Sequence, residues 1–274
     1  MAVTLLKLEF KSLFRGLVLW TGILALILII VMAFFPFMKA GVLADLIEVN
    51  RGVFPMPLLA LFGLSRVPIF SNVTIYFAFV MQYFNVAVVI YASLRGAASL
   101  NKEERDGTIT YLYAQPITRA GIVAEKMAAN FLAYGMLVMI LWALALILVL
   151  IFSTGSQAVW EMLFEVSQIY LGTFVIGTIF MALGFFFSAI ISSLGKARIV
   201  AIALVLGTYL MGVISSLADT VEFLKVLSPL NIFDPSRIIA RGIDLRDLSL
   251  WGGMVIIAVI MTFVSYSKKD FKIT

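Results

Sequence analysis

The sequence predicts an all-α polytopic membrane protein: six transmembrane helices, an N-terminal interfacial helix, and a short helix in the loop between the second and third spans. Three observations carry that reading. Apolar residues make up 63% of the 274 residues and charged residues only 13%. A soluble domain carries about 25% charged residues, because its surface faces water. Six charge-free runs reach about 20 residues, the length a helix rising about 1.5 Å per residue needs to cross a hydrocarbon core of roughly 30 Å. The remaining charge is unequally shared between the loops on the two sides. Together these describe one membrane domain, residues 1–274, with no sizeable soluble attachment.

The runs place spans at residues 16–38, 67–94, 127–152, 166–193, 199–218 and 248–267. Membrane-spanning strands alternate apolar and polar residues in segments of about ten. These runs are apolar on every side, as in Leu24-Ala25-Leu26-Ile27-Leu28-Ile29-Ile30-Val31. Lipid offers a backbone no hydrogen-bond partner, so such a run must satisfy its own groups as a helix. The weakest span begins at Ile199, because Gly207, Gly212, Ser215 and Ser216 lie within it. A buried or re-entrant helix is its alternative reading. The first run is too long for a signal-peptide core and lacks a convincing small-residue cleavage site, so it is expected to remain uncleaved.

Six spans put both ends on one side. That side's segments hold thirteen Lys or Arg and the opposite side's hold seven, with Arg237, Arg241 and Arg246 clustered in the last loop. Positive charge prefers the cytoplasm, so both termini are expected inside. The net charge of +5 does not suggest nucleic acid here, since the basic residues flank apolar runs. Anchoring at an anionic leaflet explains them better. Residues 2–15 read as an amphipathic helix in the inner interface: Leu5, Leu6, Phe10, Leu13 and Phe14 recur at helical spacing, while Lys7, Lys11 and Arg15 share another face. The alternative is that this segment simply extends the first span.

The most informative stretch is the loop at residues 95–126. Ile109, Leu112 and Tyr113 form an apolar stripe, and Glu103, Glu104, Arg105 and Asp106 crowd its start. Carboxylates favour a helix N-terminus through the helix dipole. Pro116 ends that short helix, and Thr118 is placed to cap the next. A charged, amphipathic helix held between two spans suits the docking of a cytoplasmic partner; a solvated connector obeying helix-end rules is the alternative.

Glu103, Gly107, Thr108, Leu112 and Pro116, followed by Ile117, Thr118 and Arg119, stand in register with a known signature. The stretch resembles that of the permease subunits of ATP-binding-cassette (ABC) exporters of the type-2, or type V, class. Ile122 and Lys126 continue the family's lead into the third span. The basic N-terminal helix, the long first outer segment, the run at 226–235 and the tail Lys268-Lys269-Asp270-Phe271 are similar as well. The resemblance implies a coupling helix that rests in a cleft of a cytoplasmic ABC ATPase. Glu103, Glu104, Arg105, Gly107, Thr108, Leu112, Pro116 and Arg119 would form the docking region, with Glu103 and Arg119 as charged contacts or loop-fixing residues and Gly107 allowing close approach. It further implies two ATPase copies, a second permease chain (identical or homologous), a prokaryotic plasma membrane, and ATP and Mg held by the partner rather than by this chain.

Absences narrow the chemistry. Cysteine and histidine are both missing, which removes disulfides, Cys/His metal sites and imidazole or thiolate catalysis. No phosphate-binding G-x-x-x-x-G-K-[ST] loop occurs; Leu194-Gly195-Lys196 lacks the upstream glycine and the following hydroxyl. This chain is therefore not expected to be an enzyme, and hydrolysis would fall to a separate subunit. No ionisable residue lies within a span core, which weighs against a secondary transporter coupled to protons or ions. Gln82, Asn85, Asn130 and Tyr134 are uncharged candidates for lining a path, with interhelical hydrogen bonding as the plainer role. Gly184, Ser188 and Ser192 recur every four residues, a pattern for close helix packing. Two further readings stay open: a permease-like subunit that transmits ATPase-driven force to an extracytoplasmic partner, and an ATP-independent transporter.

Overall fold

The computed structural model describes residues 2–40, 70, 72–102, 117–153, 155, 157–217 and 228–269. Six long helices account for most of them: α1 (Ala2–Ala33), α3 (Val73–Ser99), α4 (Arg119–Phe152), α5 (Val159–Ile190), α6 (Leu194–Leu217) and α9 (Leu245–Ser267). Each is long and apolar enough to cross a membrane. Three short helices join them: α2 (Phe35–Lys39), α7 (Pro229–Ile232) and α8 (Pro235–Arg241). The interruption between α1 and α2 at Phe34 has a local cause. Pro36 supplies no N–H, and its ring crowds the carbonyl four residues earlier. The outer segment at 41–69 and the run at 218–227 lie outside the described residues.

Residues 2–15 do not form a separate interfacial helix. They are the first turns of one unbroken helix that continues into the span. Lys7, Lys11 and Arg15 are exposed together, as the periodicity predicts, but the opposite face packs on protein. The reason is a carboxylate. Glu9 falls on the same stripe as Leu13 and Leu17 and is buried with them, so the helix must stand against a partner that neutralises it. The fifth span, weakest in the sequence, is one helix: α6 runs continuously through Gly207 and Gly212 and is long and apolar enough to cross a membrane.

α3 and α5 form the centre of the bundle and make its most extensive helix pair. Their spans are 61% buried, against 17% for α9 at the periphery. Small residues allow the approach. A Cβ on Gly184 would meet the Ser93 carbonyl oxygen at 2.5 Å, and one on Gly96 would collide with the Met181 carbonyl. Close backbone approach of this kind is how helices associate where lipid gives no hydrophobic drive. Ser188, one turn below Gly184, accepts a hydrogen bond from the Leu100 N–H at 2.9 Å. The predicted small-residue stripe thus packs on α3 at Gly184 and Ser188, whereas Ser192 is exposed just beyond the end of α5.

The end of the bundle away from the termini is closed by α7 and α8. Ser228 caps α7 and Asp234 caps α8, both through side-chain oxygens that accept backbone N–H groups. Gly242 stops α8 at φ 73°, a backbone region that disfavours other residues. Ile232, Phe233 and Ile238 are buried, and Ile238 lies so near Gly172 of α5 that a Cβ there would sit 2.6 Å from it. α8 therefore packs against α3 and α5, and α7 against α6.

Candidate functional site

Both sides of the charged loop are anchored by described residues. Thr118 caps α4 as expected: its hydroxyl accepts the Gly121 N–H at 3.1 Å. Arg119, one residue on, reaches the end of the last span. Its Nη1 donates to the carbonyls of Ser267 at 2.9 Å and Lys269 at 3.0 Å. These carbonyls close a helix C-terminus, where the dipole favours a cation. Glu103, Glu104, Arg105, Gly107, Thr108, Leu112 and Pro116 lie outside the described residues, so Arg119 is the one residue of the predicted docking set whose surroundings are described.

Before the loop, Asn101 is fully buried. Its amide donates to the Ile191 carbonyl at 2.7 Å, and its oxygen accepts from Lys269 Nζ at 3.2 Å. One side chain so ties the end of α3 to the end of α5 and to the segment following α9. Lys102 Nζ donates to Ser12 Oγ at 3.1 Å, reaching α1.

The most deeply buried charges of this end lie one layer further in. Lys126 Nζ is 2.7 Å from Glu9 Oε1 and also donates to the Ser99 carbonyl at 3.1 Å. Lys126 is fully buried and Glu9 almost so. Two charges removed from water are tolerable when they neutralise each other and their other polar atoms are satisfied. Asn130, one turn along α4, donates to Ser99 Oγ at 3.1 Å and to the Lys126 carbonyl at 2.8 Å. Glu125 accepts the Leu6 N–H at 3.0 Å, placing negative charge near the N-terminus of α1. Arg95 completes the layer by donating to the Leu13 carbonyl at 3.0 Å while its guanidinium carbon stands 5.5 Å from the Tyr91 ring centre. Gly16 leaves room for it, since a Cβ there would lie 3.2 Å from Nη2.

The path candidates fall in two places. Asn130 belongs to the polar layer just described. Asn85 and Tyr134 meet in mid-bundle around one residue of α5: Thr173 Oγ1 donates to Asn85 Oδ1 at 2.8 Å, and the Tyr134 hydroxyl donates to the Thr173 carbonyl at 2.7 Å. Both are buried in contacts between helices, and the Tyr134 hydroxyl occupies the space beside Gly177. Gln82 is half-buried on α3. Elsewhere, an apolar cleft of about 450 Å³ opens between α1 and α3, lined by Leu24, Ile27, Tyr76, Phe79 and Tyr83 among others.

Sequence reasoning missed Glu9, Arg95 and Asn101. A signal for Glu9 was present. Leu5, Glu9, Leu13 and Leu17 recur every four residues, so a carboxylate interrupts an apolar stripe and needs a partner. Lys126 interrupts the stripe of Ile122, Ala129 and Ala133 on α4 in the same way. Nothing in the sequence says that these two interruptions face each other. Asn101 gives no periodic signal at all.

No curated protein matches the chain significantly. The family described as "ABC-2 family transporter protein" matches residues 3–271, from the first turn of α1 to beyond the last span. With six apolar helices, and a loop anchored at both ends by a layer of polar contacts, the chain belongs to the ABC-2 family of transporter proteins, a membrane component of transport rather than a catalytic subunit.

Proposed function

We propose that this protein is the membrane-spanning permease subunit of an ABC exporter, driven by a separate cytoplasmic ATPase that docks on residues 103–119. Two ATPase copies and a second permease chain, identical or homologous, complete the transporter. Both termini face the cytoplasm of a prokaryotic cell, and ATP and Mg reside in the partner. Cycles of nucleotide binding and release bias the membrane helices between two arrangements, a population shift driven by differential contact at the docked loop.

One observation carries the reading. The residues flanking the loop hold other spans rather than solvent: Asn101 holds the end of α5, Arg119 the end of α9, and Lys126 the start of α1. A displacement of the loop therefore pulls on three other helices through polar contacts, of which those of the buried Asn101 and Lys126 are costly to break. A solvated connector needs no such wiring.

The test is co-purification with a co-expressed ABC ATPase, together with ATPase activity of the complex. Charge reversal at Glu103 or Arg119 is expected to leave membrane insertion intact while weakening assembly, and Arg119→Lys is expected to retain more of it than Arg119→Glu. Normal co-purification and full activity in both reversals would sink the docking role. Substrate-stimulated ATPase activity then separates transport from force transmission to an extracytoplasmic partner.

A further inference from the structure

At the end of the bundle that carries the termini, a polar cleft of about 170 Å³ opens between α1, α3, α4 and α6. Its charged and polar lining includes Glu9, Ser12, Arg95, Lys102, Asn130 and Arg198. We propose that this cleft binds the phosphate headgroup of an anionic phospholipid from the leaflet that the termini face.

The charge is the first argument. Among the described residues Glu9 is the lone carboxylate of the lining, and Lys126 faces it from behind at 2.7 Å. The cleft is left with three cations from two helices: Arg95 and Lys102 on α3 and the start of its following turn, and Arg198 on α6. Cations do not gather around a concave space without cost unless an anion relieves their repulsion.

Donor geometry is the second. Arg95 is held in place by Leu13 and Tyr91 through two of its N–H groups, and a guanidinium carries five. Lys102 gives one N–H to Ser12 Oγ, whose own hydroxyl hydrogen is free to turn to an anion. Arg198 is exposed and makes no hydrogen bond or ion pair with another described residue. Arg95 and Lys102 therefore offer donors that are held in place, and Arg198 adds an exposed guanidinium, a set that suits the several acceptor oxygens of a phosphate group.

Size and surroundings choose the source. At about 170 Å³ the cleft has room for a phosphate group. Exposed apolar side chains adjoin the cleft residues along both helices: Phe14 and Val18 on α1, Ile199 and Val200 on α6. They offer acyl chains an apolar track that begins beside the cations. Basic pockets between spans at a membrane face are a recurring way to hold anionic headgroups. The inference goes beyond the docking of an ATPase and stands whether or not one docks.

The experiment uses the full chain purified in a neutral detergent. Retention of added phosphatidylglycerol is read by native mass spectrometry and by the thermal midpoint, with phosphatidylcholine and inorganic phosphate as the other two probes. Phosphatidylglycerol is expected to be retained and to raise the midpoint, and the other two are not. Arg198→Gln is expected to weaken phosphatidylglycerol binding about fivefold, the loss of one cation at the surface. Lys196→Gln, on the same helix but outside the cleft, is expected to leave it unchanged. Equal retention of phosphatidylcholine, or an equal loss in Lys196→Gln, overturns the site. Equal stabilisation by inorganic phosphate overturns the lipid as its occupant.

Discussion

At the end of the bundle carrying the termini, helices are joined through charged and amide side chains far apart in sequence. At the opposite end they are joined mainly through caps, neutral hydrogen bonds and aromatic packing, with a partly exposed ion pair of Arg237 and Asp247 at 3.7 Å. The first end holds Glu9 against Lys126, Arg95 against Leu13, and Asn101 between Ile191 and Lys269. The second holds the Tyr76 ring between Phe35 and Phe70, with its hydroxyl on the Val31 carbonyl at 2.7 Å, and sets Ser228 Oγ on the Thr208 carbonyl at 2.8 Å. Apolar contacts degrade gradually as helices slide, because burial is non-directional. A buried ion pair does not: separation exposes two bare charges to a poor solvent. The helix ends around the loop are therefore built to move as a unit, while the opposite end is able to repack.

The largest expected effect breaks the first end at its centre. Lys126→Met removes the cation that faces the buried Glu9 carboxylate at 2.7 Å, which costs about 3–5 kcal/mol. Unfolding of the purified protein in detergent is expected to shift accordingly, and Glu9→Leu combined with Lys126→Met is expected to recover most of the loss. A double variant as unstable as the single one would show that the pair does not act as a pair.

The crossing that links the two ends comes next. Gly96→Ala places a methyl against the Met181 carbonyl on the facing backbone, so α3 and α5 must part; overpacking of this kind costs about 1–3 kcal/mol. A melt unchanged from the parent protein would mean that this crossing has slack. The smallest effect belongs to the second end. Ser228→Ala removes the cap of α7 and the bond to Thr208, a loss of about 1 kcal/mol. Should it destabilise as much as Lys126→Met in the same assay, the contrast between the two ends fails.

Legibility in the sequence followed the range of the interaction. Thr118 as the cap of α4 was readable because cap and helix are neighbours in the chain. The stripe of Gly184 and Ser188 was readable because a four-residue recurrence marks one face of one helix. Whether residues 2–15 form a helix of their own or continue the first span was not readable, for the complementary reason. Periodicity identifies an apolar face but not whether lipid or another helix covers it, and the buried Glu9 decides for protein.

The sequence by itself determined the number, the type and nearly the positions of the spans. Runs of about 20 apolar residues have one stable form in lipid, in which every backbone group is paired within the segment. Which faces meet is another matter. Glu9 and Lys126 are 117 residues apart, and Arg95 lies 82 from Leu13. Only the packing of α1 between α3 and α4 brings them together. Helical periodicity fixes where a side chain stands around its own axis, and the tertiary structure alone decides which other axis it confronts.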